Sequence, residues 1–228
     1  MRKIAIFDQD DVLNDWISEF NQHLISLGYD LGPEKEEYIP KNWGYTEIGI
    51  PYSIVQGYIH SCPKHAPYQE MINCANRLKS KGWEIVVVTS HPSNLKMERI
   101  QHLNSLGLNY DHIALTQSFD KNGNVVSLSK AKYIEAVYKR PGNTLIFIDD
   151  RMKSVLEFIK LGLGRGFSVD RAYNSNEIKE MQEDPLLENR IYLGRGKTMR
   201  DQVLDLIPKI EQVAEALSTK HPVMRIGK

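Results

Sequence analysis

Residues 4–13, Ile4-Ala5-Ile6-Phe7-Asp8-Gln9-Asp10-Asp11-Val12-Leu13, set two carboxylates, Asp8 and Asp10, immediately beyond a short apolar run. The run reads as the first strand of a parallel sheet, and ligands of open α/β sheets bind outside the carboxyl ends of the strands. Side chains two apart on a strand share a face, so Asp8 and Asp10 are expected to look into one cavity. Acids that close repel each other unless a cation or a shared proton intervenes. A hard divalent ion with oxygen ligands, Mg2+ above all, suits them. The competing reading is that they cap a helix beginning near Leu13, since Asp is a favoured N-cap residue.

Further runs of apolar and β-branched residues occur at 84–88, 113–115, 145–148 and, more weakly, 166–169. Helix-length sequence separates each from the next, the pattern of a parallel sheet covered by helices. The stretch between Phe7 and Glu84 far exceeds the dozen or so residues of a simple crossover, so an insertion is expected there. Within it Leu13, Trp16, Ile17, Phe20, Leu24 and Leu27 recur at helical spacing and stop at Gly28. Residues 32–51, rich in Gly, Pro and aromatics, read as a loop. Segments 52–61 and 68–81 read as helices, kept apart by Pro63 and Pro67. The expected architecture is an α/β core, residues 1–13 and 78–228, with a small helical cap, residues 14–77, over the strand ends. Further on, 153–161 and 199–217 have helical periodicity. Gly162, Gly164 and Gly166 lack the lysine and hydroxyl residue of a phosphate loop, and read as a turn.

The chain has 228 residues, enough for one substantial core and a smaller unit. Its 29 basic and 29 acidic residues balance, which gives no footprint for generic nucleic-acid binding. Cys62 and Cys74 are too few for a disulfide framework or a zinc site, and free thiols in a reducing compartment are the default. Met1-Arg2-Lys3 is not followed by the long apolar stretch of a signal peptide, and no run approaches membrane-spanning length. A cytoplasmic protein is expected, without membrane or stable nucleic-acid binding; a homodimer is left open.

Three more segments carry chemistry. The second strand runs into Thr89-Ser90-His91-Pro92, where a hydroxyl and successive N–H groups suit an anion as well as they suit a helix cap. The run 145–148 ends in Asp149-Asp150-Arg151, again acids at a carboxyl edge. Unpaired buried carboxylates rarely serve stability, because desolvating each costs several kcal/mol, and a metal removes that difficulty. Between them, Ser129 opens a helix whose first turn carries Lys130. A lysine there opposes the helix dipole but suits a phosphate. Lys132 and Lys121 compete for that role, and most lysines of a charged helix are solvated.

Taken together, Asp8-Gln9-Asp10-Asp11-Val12-Leu13, Val88-Thr89-Ser90, Lys130 and Ile148-Asp149-Asp150 resemble, in order and approximate spacing, the four motifs of haloacid-dehalogenase-like (HAD) phosphohydrolases. The resemblance spans about residues 1–155. The insertion resembles a C1-type cap, and the segments Asp10-Asp11-Val12-Leu13-Asn14-Asp15-Trp16, Thr89-Ser90-His91-Pro92 and Ile148-Asp149-Asp150-Arg151 look most like 5′(3′)-deoxyribonucleotidases. Asp11 departs from the pattern by standing where the family usually has glycine; Asp tolerates unusual backbone better than most residues.

The resemblance implies a HAD-like Rossmannoid core and hydrolysis of a nucleoside monophosphate through an aspartyl-phosphate. Asp8 would be the nucleophile and Asp10 the general acid and then base. Mg2+ would be held by Asp8, the Asp10 backbone carbonyl and Asp149, with Asp150 acting through water. Thr89, Ser90 and Lys130 would grip the phosphate. Trp43 and Tyr45 are the leading choices for stacking on a base, with Tyr38 and Tyr52 behind them, although core packing accounts for most aromatics. His91 reads equally as a substrate contact or a surface or cap-interface residue, and Lys96 and Arg99 as solvated helix charges before a source of positive potential near the phosphate. The alternatives are a HAD phosphatase for sugar phosphates or nucleic-acid 3′-phosphate ends, a non-catalytic HAD-fold binding protein, and a phosphoacceptor domain of the response-regulator type.

Overall fold

A computed structural model of the chain describes residues 1–31, 50–61, 63–119 and 125–219, leaving aside the side chains of 52, 119, 125 and 172. The sheet is built from β1 (Lys3–Phe7), β2 (Glu84–Pro92), β3 (His112–Phe119), β4 (Val125–Ser127), β5 (Thr144–Ile148), β6 (Arg165–Val169) and β7 (Ile191–Gly194). Their order is β4-β3-β2-β1-β5-β6-β7, parallel except where β4 returns antiparallel along β3. The chain steps outward from β1 to β2 and β3, then crosses back to place β5 on the other side of β1. This reversal makes the carboxyl edge between β1 and β5 the crevice of the sheet.

Period-two alternation sorts the strand residues onto two covered faces. Ala5, Phe7, Ile85, Val87, Ile146, Ile148, Phe167 and Val169 pack under α3 (Gln69–Ser80) and the long helix Met199–Thr219. Ile4, Ile6, Val86, Val88, Leu145 and Phe147 pack under α5 (Lys130–Tyr138) and α6 (Met152–Lys160). Burying both faces is what a parallel sheet requires, and explains why these strands read as continuous apolar runs. The register pairs Phe7 with Ile148, so Asp8 and Asp149 leave the sheet at one level.

A third apolar cluster stands apart from these. Trp16, Ile17, Phe20 and Leu24 of α1 (Trp16–Ser26) meet Val55, Tyr58 and Ile59 of α2 (Tyr52–Ser61), with Leu31, Ile50 and Leu95. By contrast Met71, Ile72, Cys74, Ala75 and Leu78 of α3 belong to the sheet cluster, although the cap boundary drawn from sequence places most of them in the insertion. Among the described residues no helix is long and apolar enough to cross a membrane.

Two short strands escape the sequence reading, β4 and β7, and β2 runs four residues past Val88, with its pairing interrupted between Thr89 and Pro92. Helix α1 begins at Trp16, not near Leu13, because Asp15 caps it: its Oδ1 accepts from Ser18 N at 3.2 Å. Asp8 and Asp10 are therefore not its N-cap.

Candidate active site

At the carboxyl edge of β1, Asp8 N donates to Ile148 O at 2.8 Å, extending the ladder one residue beyond the strand. Asp8 is 5% exposed, and its Oδ1 accepts from Gln9 N at 2.7 Å. Lys130 enters from the first turn of α5, whose N-cap Ser129 accepts from Lys132 N. The Lys130 ammonium, 6% exposed, donates to Asp8 Oδ2 at 2.5 Å and Asp149 Oδ2 at 2.8 Å. Lys132 is exposed, and Lys121 lies outside the described residues.

Asp149 and Asp150 follow β5. Asp149 Oδ1 accepts from Arg151 N at 2.8 Å, and Asp150 Oδ2 accepts from the Tyr173 hydroxyl at 2.9 Å. Asn174 ties this turn down: its Nδ2 donates to Asp150 O at 2.7 Å, and its Oδ1 accepts from Met152 N at 3.0 Å. Asp8, Asp149 and Asp150 each offer an oxygen within 4.8 Å of the others'.

Burial pushes the Asp8 carboxyl well above the usual range, against the pull of Lys130 and helped by Asp149 and Asp150. Burial and Asp149 raise Asp150 to about 6. Burial also opposes the charge on Lys130, but Asp149 and Asp8 outweigh it and hold the ammonium protonated. Three buried carboxylates facing one hydrogen-bonded ammonium leave surplus negative charge, and all the donors are hard oxygens. That set fits Mg2+.

Asp10 goes elsewhere. Strand β1 ends at Phe7, so the two-residue alternation that would give Asp8 and Asp10 a common face no longer applies. Asp10 Oδ2 accepts from His91 Nε2 at 2.6 Å and Oδ1 from Asn14 Nδ2 at 3.2 Å, while Arg99 Nη1 stands 3.9 Å from Oδ1. Burial alone would raise this carboxyl; His91 and Arg99 more than reverse that and hold it below the usual range. Burial pushes His91 down against the pull of Asp10, and its Nε2, facing a carboxylate oxygen, is the donor of the pair.

Asp11 takes φ +57° and stands in the left-handed region, the backbone that glycine ordinarily supplies and that Asp tolerates. Its Oδ1 accepts from Ile17 N at 2.9 Å. On β2 the burial pattern puts Thr89 and His91 inside and leaves Ser90 exposed. The arrangement thus gathers Asp8, Lys130, Asp149 and Asp150, with Thr89 at the neighbouring strand end. Trp43, Tyr45, Tyr38 and the Tyr52 side chain lie outside the described residues.

The sequence reads His91 as a substrate contact or a surface or cap-interface residue and Arg99 as a solvated helix charge; it does not place either beside Asp10. Arg99 is buried, not solvated, because α4 (Lys96–Ser105) turns it inward with His102 and Leu103. The available signal was phase: Leu95, Arg99, His102, Leu103 and Leu106 share one helical stripe, and a charge inside an apolar stripe is out of place.

No protein-family model matches the sequence, and no curated protein matches it. Solved structures do. The "Putative Phosphatase from Clostridium difficile" superposes with a TM-score of 0.56 at 19% identity, over 89% of this chain and 98% of that one. The fold is HAD-like. A "predicted phosphoglycolate phosphatase" from Haemophilus somnus 129PT gives 0.52 at 16% identity, over 92% and 98% of the two chains. A "putative beta-phosphoglucomutase" from Thermotoga maritima gives 0.50 at 17%, over 92% and 100%. At these identities the likeness concerns the HAD-like Rossmannoid fold, and activity has to be argued from the site.

Proposed function

We propose that this chain is a Mg2+-dependent phosphomonoesterase that hydrolyses nucleoside monophosphates, 5′-deoxyribonucleotides first, through an aspartyl-phosphate on Asp8. The observation that carries the reading is the ammonium of Lys130 shared between Asp8 and Asp149 at the β1/β5 crevice, with Asp150 beside them. A carboxylate nucleophile, a fixed cation for the phosphoryl oxygens and an acidic cation cage are the parts phosphoryl transfer needs.

Asp8 attacks phosphorus; the new Oδ–P bond forms as the ester P–O bond breaks. Asp10 supplies the proton that the departing oxygen takes, then removes a proton from the water that attacks the aspartyl-phosphate and releases inorganic phosphate. In the free protein Asp10 is ionised, the form its second task requires. An incoming phosphate dianion raises its proton affinity for the first. Lys130 and Thr89 hold the non-bridging oxygens, where charge grows toward the transition state. Bound Mg2+, held by Asp8, Asp149, Asp150 and the Asp10 backbone carbonyl, would neutralise the repulsion between these carboxylates and the phosphate. Residues 14–77, in part the α1–α2 cluster, are proposed as the cap that selects the ester, with Trp43 and Tyr45 on a base.

The nucleotide part rests on the motif resemblance. A small sugar phosphate is the second reading, favoured by the polar surroundings of Asp10 on the alcohol side and consistent with the phosphoglucomutase named among the structures of like fold. A panel of phosphate esters assayed with Mg2+ decides. Nucleotides are expected to give the largest kcat/KM, a higher value for sugar phosphates would replace the substrate, and no turnover of any ester would reject the activity.

A further inference from the structure

Arg99 is 1% exposed, yet its Nε, Nη1 and Nη2 make no hydrogen bond among the described residues. Its nearest acid is Asp10 at 3.9 Å, and both Asp10 oxygens are already engaged by His91 and Asn14. Leaving even one buried donor unsatisfied costs its full desolvation, more for a charged group, so an arginine kept only for packing would be paired or replaced by an apolar side chain. The guanidinium fork matches carboxylate and phosphate oxygens in geometry. Gln9 Oε1 and Asn14 Oδ1, on either side of Asp10 in the loop after β1, also lack partners. Unsatisfied polar atoms therefore collect around Asp10 and on the helix facing it.

Position gives these groups a role. The leaving oxygen departs in line with attack by Asp8, and the acid that protonates it must stand on the alcohol side of phosphorus. Arg99 lies against that acid, with no hydrogen bond to the Asp8, Asp149 and Asp150 cluster. We propose that Arg99 is an anion-binding residue for the alcohol half of the substrate, so that the preferred ester carries a second anionic group, a carboxylate or another phosphate, on its leaving group. The proposal rests on Asp10 as the proton donor and names the substrate class more narrowly; a nucleoside bisphosphate would satisfy both readings.

The test uses matched pairs of esters that differ by that anion: 2-phosphoglycolate against ethyl phosphate, and a nucleoside 3′,5′-bisphosphate against its 5′-monophosphate. Wild-type protein with Mg2+ should favour the member whose leaving group carries the anion, in at least one pair, by 10-fold or more in kcat/KM, and Arg99→Met should erase about 10- to 100-fold of that preference. No preference in either pair, or a preference that Arg99→Met leaves intact, overturns the assignment. So does an equal fall for both members, which would mean that Arg99 only holds Asp10. Should Arg99→Met fail to fold, Arg99→Lys keeps the charge without the fork; loss of at least threefold in the preference supports the assignment, and an unchanged preference overturns it. Calorimetric binding of the same pairs to Asp8→Asn protein separates the two readings. An Arg99-dependent binding preference without turnover in the wild type keeps the subsite and rejects the phosphatase, whereas turnover without any such preference does the reverse.

Discussion

Asp8 and Asp10 stand two residues apart in surroundings of opposite sign. Asp8 faces two other carboxylates and one ammonium, and burial drives its proton affinity up. Asp10 faces an imidazole, an amide and a guanidinium, which drive its proton affinity down. What separates them is the end of β1 at Phe7 and the left-handed turn at Asp11, which together swing the chain from the β5 side of the crevice toward β2 and α4. Carboxylates pushed apart in this way can take different parts in one reaction. The acid cluster holds more carboxylates than its one ammonium balances; the Asp10 side is supplied with positive charge by Arg99.

The sharpest way to break this contrast is kinetic. Asp8→Asn should lower kcat by about 10⁴-fold or more for every ester, since no other group can accept the phosphoryl. Asp10→Asn should slow phosphorylation of Asp8 by ethyl phosphate by about 10²–10⁴-fold but by p-nitrophenyl phosphate far less, because a good leaving group needs no proton, while hydrolysis of the aspartyl-phosphate slows alike for both. Pre-steady-state phosphorylation rates on both esters read this directly, and equal losses in that step for Asp10→Asn would erase the division of roles.

Next comes Lys130→Met, which strips the acid cluster of its hydrogen-bonded cation. Urea unfolding in EDTA at pH 7.5 should show a loss of about 3–5 kcal/mol, the usual effect of breaking a buried ion pair from one side. Mg2+ should restore part of it.

A smaller effect separates the two sides by pH. The folded protein raises the carboxyls of Asp8 and Asp150, the latter to about 6, so the folded state binds more protons than the unfolded chain between the ordinary carboxylate range and pH 6. Metal-free protein should therefore gain stability from these groups as pH falls from 7.5 to 5, and lose it again as pH rises through 6. Asp10, held low, acts with the opposite sign, and its contribution disappears only in strong acid. Mg2+ at about 100 times its Kd should add about 2.7 kcal/mol at pH 7.5 and clearly less at pH 5, where protons compete for the same oxygens. A melting series across pH, with and without the ion, measures it. Least of all, Asp11→Asn keeps a side chain that tolerates φ +57° and can still accept from Ile17 N while removing a buried charge. It should raise stability by up to about 1 kcal/mol in the same unfolding assay.

Where apolar runs end in acids, the sequence is transparent: residues 4–8 and 145–150 announce strand, edge and site at once, because a strand buried on both faces must be apolar until it leaves the sheet. Lys130 was legible as a lysine misplaced against a helix dipole. Strands β4 and β7 were not legible. Val126 is exposed on its edge strand, and Tyr192 and Leu193 are only half-buried, so neither segment carries a complete burial pattern. The direction of Asp10 could not be read either, since it depends on where β1 stops and on His91 and Arg99, which arrive from β2 and α4. Tertiary partners of this kind leave only a faint trace, here a charge out of phase on one helix.

The pairing of Phe7 with Ile148 also sets an order of events in folding. β1 sits in the middle of the sheet yet cannot acquire its second neighbour until Thr144–Ile148 has been made. At about 5–20 residues per second, the nascent β1 strand waits roughly 7–30 s with that edge unpaired, an interval in which it can stick to another chain. Chains halted before Thr144 should bind no Mg2+ at this crevice and should be recovered as aggregates, whereas the full chain, with Tyr173 and Asn174 holding the Asp150 turn, should bind it.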